Sequence, residues 1–173
     1  MNNTIKCILE RKSVRQYSKQ AIERETIELL VRAAMAAPSA KNRQPWTFIA
    51  ITQKEMLIQL SDGLPYAKMV KDAPCAIIVC GDLSRTKEED KNKWVVDCSA
   101  ATENLLVAAE SLGLGAVWTG VYPDTDRVEF VSKCLNLPDF VIPLNVIPVG
   151  HPSGENKPKD KFKPELLKWE RWE

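Results

Sequence analysis

Apolar side chains recur at helical spacing in ETIELLVRAAMAA, where Ile27, Leu30, Val31 and Ala34 share one stripe, so a helix is expected there, stopped by Pro38. A shorter helix is expected over residues 4–10. The pattern changes at WTFIAIT, whose β-branched and aromatic residues read as a strand. EMLIQLSDG reads as a helix closed by Gly63, and APCAIIVCGD, with an unbroken apolar centre, as a strand buried on both faces. SRTKEEDKNK then reads as an exposed charged connection. The longest helical pattern is WVVDCSAATENLLVAAESLGLG, rich in alanine and leucine, with Gly113 and Gly115 after its last turn. AVWTGVYP reads as a short strand ending in a turn, DTDRVEFVSKCLN as a helix capped near Asp124, and FVIPLNVIPVGHP as a strand interrupted by prolines.

The tail GENKPKDKFKPELLKWERWE changes character to Lys, Glu and Trp. It is expected to be an extended arm ending in a short helix that docks on something, because the indoles of Trp169 and Trp172 bury large apolar areas when given a surface. The whole chain, residues 1–173, is expected to be one domain, with residues 151–173 as the arm.

Composition narrows the function classes. A chain of 173 residues with 45% hydrophobic and 27% charged residues has the makeup of an ordinary globular protein. A net charge of +1 argues against nucleic acid, which needs a basic face repeated over many residues. The most apolar runs are too short to span a bilayer, so no membrane partner is expected. Five widely spaced cysteines, without a C-x-x-C pair, read as reduced thiols, and the expected location is cytoplasmic. His151 is the single histidine and sits beside Pro152 in a polar turn; no Ser–His–Asp triad, Cys–His pair or metal-ligand cluster can be assembled around it. Cys98 and Glu103 lie among alanines on the longest helix, as a packed core thiol and a capped or exposed carboxylate.

Four stretches could carry chemistry. In RKSVRQYS, Arg11, Lys12, Ser13 and Arg15 gather within five residues. In an extended backbone Arg11, Ser13 and Arg15 line one edge over roughly 13 Å, too long for a single phosphate. That length suits a nucleotide-like ligand, with an anion gripped by a guanidinium fork and hydroxyl at one end and a polar ring edge at the other. The alternative is a solvated helix end whose cations face its carbonyls. In PSAKNRQPW, two prolines stiffen a loop on which backbone donors and the Asn42 and Gln44 amides could meet the rim of a planar heteroaromatic ring; the alternative is an ordinary helix-to-strand connection. Gly120, after a strand, could present its N–H to a ring nitrogen with no side chain in the way, or serve only as a turn glycine. In KPKDKF, Lys157, Lys159 and Lys161 alternate and could complete an anion site, or belong to a solvated tail.

RKSVRQY, APSAKNRQPWTFI, AATENLLVAAESLGLGAVWTGVYP and VGHPSGENKPKDKF with WERW occur in one order, and that order resembles the flavin-dependent nitroreductase family, especially its short members. The resemblance implies an α+β fold with a mixed, largely antiparallel sheet wrapped by helices, in an intertwined homodimer holding one FMN at each of two interface sites. It implies that Arg11 and Ser13 bind the FMN phosphate with Lys159 and Lys161, while Arg15 reaches the pyrimidine edge. Pro38, Ser39, Ala40 and Asn42 would come from the other subunit to cover the ring, and the backbone of Thr119 and Gly120 would approach N5. The arm would wrap the partner. The implied activity is FMN-dependent reduction of nitroaromatics, quinones or similar electron-poor acceptors, with NADH or NADPH as donor. The alternatives are a non-catalytic flavin-binding protein and a flavin enzyme of another type, such as a reductive dehalogenase.

Overall fold

The computed structural model describes residues 2–90 and 92–172. Its helices are α1 (Asn3–Glu10), α2 (Arg24–Met35), α3 (Lys54–Gly63), α4 (Trp94–Ser111) and α5 (Thr125–Leu135). Its strands are β1 (Trp46–Ile51), β2 (Cys75–Asp82), β3 (Gly115–Ala116), β4 (Thr119–Gly120) and β5 (Val141–Gly150). The sheet runs β1-β2-β5-β3, with β4 also on β5, and every strand pair in it is antiparallel. A parallel bridge between Ser13 and Ala116 extends it by one position. This is the expected α+β arrangement, an antiparallel sheet with helices on both faces.

Strand alternation sorts the core. Cys75, Ile77 and Val79 face the cluster that contains Leu30, Ala34, Ala101 and Leu105 of α2 and α4. Ala76, Ile78 and Cys80 face the cluster with Leu57 and Leu60 of α3 and Val131 of α5. Both faces of β2 are therefore covered, which is why its sequence is continuously apolar. α4, about 27 Å long at 1.5 Å per residue, is buried on much of its circumference, including Trp94, Cys98, Ala101, Leu105 and Ala109.

Several boundaries differ from the sequence reading. α2 ends at Met35, and Ala36 and Ala37 close it with turn bonds before Pro38. Asp124 stands at the N-cap of α5 without a side-chain cap bond and pairs with Arg127 at 3.1 Å. AVWTGVYP forms two short strands rather than one. β5 is one continuous strand of ten residues in spite of Pro143 and Pro148. A bulge accommodates it: Val79 pairs with Asn145 and Cys80 with Pro143, so Leu144 is passed over. Leu144 and Asn145 then both lie on the α4 side, where Leu144 joins the apolar cluster and Asn145 bonds Thr102. The charged connection folds into turns at Leu83–Arg85 and Glu88–Asp90, and Asp90 is only 3% exposed.

Candidate functional site

The basic segment after α1 lies against the sheet. Val14 donates its N–H to Ala116 O at 3.0 Å, Ser18 N–H to His151 O at 2.9 Å, and Ser153 N–H to Gln16 O at 3.0 Å. Val14 and Tyr17 are buried with Ala73, and the Tyr17 hydroxyl donates to Val14 O at 2.6 Å. Burial pushes the Tyr17 hydroxyl far above its ordinary pKa, so it stays a neutral donor. With Val14 and Tyr17 inward, Ser13 and Arg15 are exposed.

The four polar residues therefore divide. Arg11 Nε lies 3.0 Å from Glu103 Oε1 and Lys12 Nζ 2.7 Å from Glu110 Oε1, both on α4. Arg15 makes no hydrogen bond or ion pair among the described residues, and neither do Lys159 and Lys161 of the exposed arm. The Tyr17–Pro152 bridge brings the start of that arm beside the basic segment.

β3 and β4 line the same edge of β5. Ala116 stands opposite Val149 and Gly120 opposite Asn145, four residues apart, or roughly 13 Å along the strand. Ser13 adjoins Ala116, so the basic end and the Gly120 backbone mark the two ends of a strip of that length. Thr119 is buried, paired with Val146 in the sheet, and turns its hydroxyl inward to Val146 O at 2.5 Å, so the exposed Gly120 is the part of β4 available to a ligand. A Cβ placed on Gly120 would meet no heavy atom within 4 Å, so the space in front of it is open to a planar ring. A cation-lined end and an open glycine at this separation fit a phosphate-bearing heteroaromatic cofactor.

The loop of residues 38–44 is built from local bonds. Gln44 N–H donates to Ser39 Oγ at 3.0 Å, Asn42 N–H to Ser39 O at 3.0 Å, and Gln44 Nε2 to Asn42 Oδ1 at 2.9 Å. Pro38, Asn42 and Gln44 are exposed, and Ser39 and Ala40 half-buried. Ala40 N–H is held by Asp97 Oδ1 at 2.9 Å, in the first turn of α4. The basic segment is tied to the same helix at Glu103 and Glu110, about 9 and 20 Å further along its axis. In a single chain the loop and the basic strip thus attach to well-separated parts of α4.

Residues that sequence reasoning missed surround these elements. Lys41 bridges Glu89 and Asp90, each at 2.9 Å, and Asp97 carries the Ala40 amide. Arg127 donates to Gly120 O at 3.5 Å and lies over the exposed Tyr66 ring at 5.1 Å. No local sequence signal marks the contacts of Lys41, Asp97 and the Tyr66 ring, because their partners are distant along the chain. Cys98 is the expected core thiol, its Sγ directed at Cys80 O, and burial raises its pKa. Glu103 is half-exposed and holds Arg11.

Comparison with known proteins joins these observations. The profile described as "Nitroreductase family" matches residues 8–63 and 56–151. A protein of Methanothermobacter thermautotrophicus, provisionally named NADH dehydrogenase/NAD(P)H nitroreductase, is 45% identical over 98% of this chain and 88% of its own length. The crystal structure of a Parabacteroides distasonis protein with the same provisional name is 50% identical, with a TM-score of 0.95 over 99% of this chain and 100% of that one. A provisionally named nitroreductase of Desulfovibrio desulfuricans, solved in complex with FMN, is 28% identical with a TM-score of 0.83 over 100% of this chain and 99% of that one. Fold, strip and sequence lead to one conclusion: the chain belongs to the nitroreductase family.

Proposed function

We propose that the protein is an FMN-dependent NAD(P)H oxidoreductase that reduces nitroaromatics, quinones or similar electron-poor acceptors, donor and acceptor alternating in one pocket. The observation that carries this reading is the strip of roughly 13 Å between Ser13 and Gly120, with the basic segment at one end, open space at the other, and Arg15 following Ser13 in the direction that runs from Ala116 toward Gly120. When bound, FMN supplies the hydride relay through N5, a chemistry that no side chain here offers.

The chain's residues then bind and orient. Arg11, set by Glu103, and Ser13 grip the phosphate, joined by Lys159 and Lys161 from the arm. Lys12, tied to Glu110, contributes positive charge nearby and anchors the segment to α4. The guanidinium of Arg15 stabilises negative charge at the pyrimidine edge, and preorganised charge of this kind is among the larger catalytic contributions. The Thr119 and Gly120 backbone admits the ring closely at N5.

The cover over the ring comes from a second copy. The separate anchoring of loop and basic strip supports this, since Ala40 and Arg11 are held at positions about 9 Å apart along α4. The arm supports it as well. Residues 157–172 are all exposed, Trp169 at 75% and Trp172 at 87%, which is costly in water without a partner surface. A groove of about 950 Å³ beside α2 and the outer edge of β1, with Ile22, Ile27, Val31 and Met35 among charged Arg24, Glu28 and Arg32, is a mixed surface suited to receive a partner's arm of lysines, glutamates and tryptophans.

Mixing the yellow holoprotein anaerobically with NADH or NADPH is expected to bleach the flavin within seconds, and a quinone or nitroarene is expected to restore the colour. Colour that persists with both donors favours a binding protein and overturns the reductase reading. Removal of residues 157–173 is expected to convert a dimer to monomer in light scattering and to release FMN; a monomeric full-length holoprotein would reject the two-chain site.

A further inference from the structure

The loop of residues 38–44 holds a conformation its side chains disfavour. Lys41, Asn42 and Gln44 have φ of 53°, 54° and 50°, in the left-handed region that residues with a Cβ rarely enter. Bonds inside the loop define its shape, but its seat on the rest of the protein depends on few contacts. Ala40 N–H meets Asp97, and Lys41 Nζ meets Asp90 Oδ2 and Glu89 Oε1. The side chain of Glu89 is 64% exposed, where water and salt weaken its pairing. Asp90 is buried, and its other oxygen receives Lys93 at 2.7 Å from the start of α4. It is a carboxylate clamped between an ammonium of the loop and an ammonium of the scaffold.

We propose that Asp90 is a positioning residue for the flavin site: acting through Lys41, it fixes the seat from which Ser39, Asn42 and Gln44 meet the ring. Neither Asp90 nor Lys41 needs to touch the cofactor. The inference rests on the reading of residues 38–44 as a flavin cover, and it adds the part of the scaffold that aims that cover. Lys93 separates the role from simple stability, because it bonds Asp90 but not the loop.

The test measures FMN dissociation and the visible circular dichroism of the bound flavin in full-length holoprotein. Asp90→Asn and Lys41→Met are each expected to weaken FMN by about tenfold, the worth of one charge-assisted contact, and to change the flavin dichroism. The double variant is expected to lose no more than either single one, since both cut the same link. Lys41→Arg is expected to restore binding, and Lys93→Met to stay within about twofold of wild type. Hydrogen exchange in the apoprotein adds a readout independent of cofactor: the amides of residues 40–44 are expected to exchange faster in Asp90→Asn and Lys41→Met, but not in Lys93→Met. Additive losses, or equal losses from Lys93→Met and Asp90→Asn, would overturn the proposal, as would wild-type affinity in Asp90→Asn. If Asn42→Ala weakens FMN while Asp90→Asn does not, the positioning role alone fails. If neither does, the flavin-cover reading fails with it.

Discussion

Replacing Gly120 by alanine separates the needs of the fold from those of a bound ring. The added Cβ meets no atom within 4 Å, and Gly120 is not among the glycines with positive φ. The apoprotein therefore accommodates it, and reduced freedom of the unfolded chain is expected to stabilise it by about 0.4–1 kcal/mol. For a chain of this length that raises Tm by about 1–4 °C. A flavin seated close to the Gly120 amide leaves no room for the methyl, and overpacking costs about 1–3 kcal/mol, which weakens FMN roughly 5- to 150-fold. Gly115→Ala is the control. Its Cβ would lie 2.6 Å from Val14 Cβ and Cγ1, and Val14 is buried beneath the basic segment. It is expected to lower Tm by about 2–12 °C and to weaken FMN through displacement of Ser13 and Arg15. Thermal scans of apoprotein and fluorescence titration with FMN measure both quantities. Wild-type FMN affinity in a stable Gly120→Ala protein would refute the seating of the ring at that glycine.

Arg15→Ala is expected to lower the flavin reduction potential and slow its reduction by NAD(P)H more than it loosens FMN, and Arg11→Ala to do the reverse; equal effects in potentiometry and retention assays would reject this division. Thiol reagents at pH 8 are expected to modify at most Cys7 and Cys134 in the native protein, because Cys75, Cys80 and Cys98 are buried and burial pushes the thiols of Cys75 and Cys80 up to about 12; mass spectrometry showing native labelling of any of the three would contradict the core packing. Lys93 and Lys41 pull the Asp90 carboxyl from 3.8 down to about 2. A depressed pKa gives stability that is present above the unfolded value and lost as pH falls through the folded one, so the advantage of wild type over Asp90→Asn in urea unfolding is expected to be constant from pH 5 to 8 and to vanish between about pH 4 and 2.

The sequence shows clearly whatever local periodicity controls. α4 and β2 are legible because each is apolar over a length that only a buried element needs, and Gly113, with φ of 71°, closes α4 as its position after the helix implies. The prolines of β5 mislead for a physical reason: proline weakens an isolated strand, but a bulge at Leu144 lets the ladder continue past Pro143. In the candidate site, the exposure of Ser13 and Arg15 follows from alternation around buried Val14. The pairing of Lys12 with Glu110 spans 98 residues and leaves no trace in spacing. Asp90 is similar. In the run EEDK it looks like one more solvated acid, and only the approach of Lys41, 49 positions earlier in the chain, reveals its burial.

The order in which the sheet's members leave the ribosome has a consequence of its own. β5 occupies the middle of the sheet, yet more than a hundred residues precede it, so the hairpin-like pair of β1 and β2 emerges with one long edge bare. Until residues 141–150 arrive, nothing spans β2 and the glycine-bearing strands of the ligand strip. Nascent fragments ending before Val141 therefore expose a sticky half-sheet, and closure of the sheet depends on contacts of high sequence separation that form slowly.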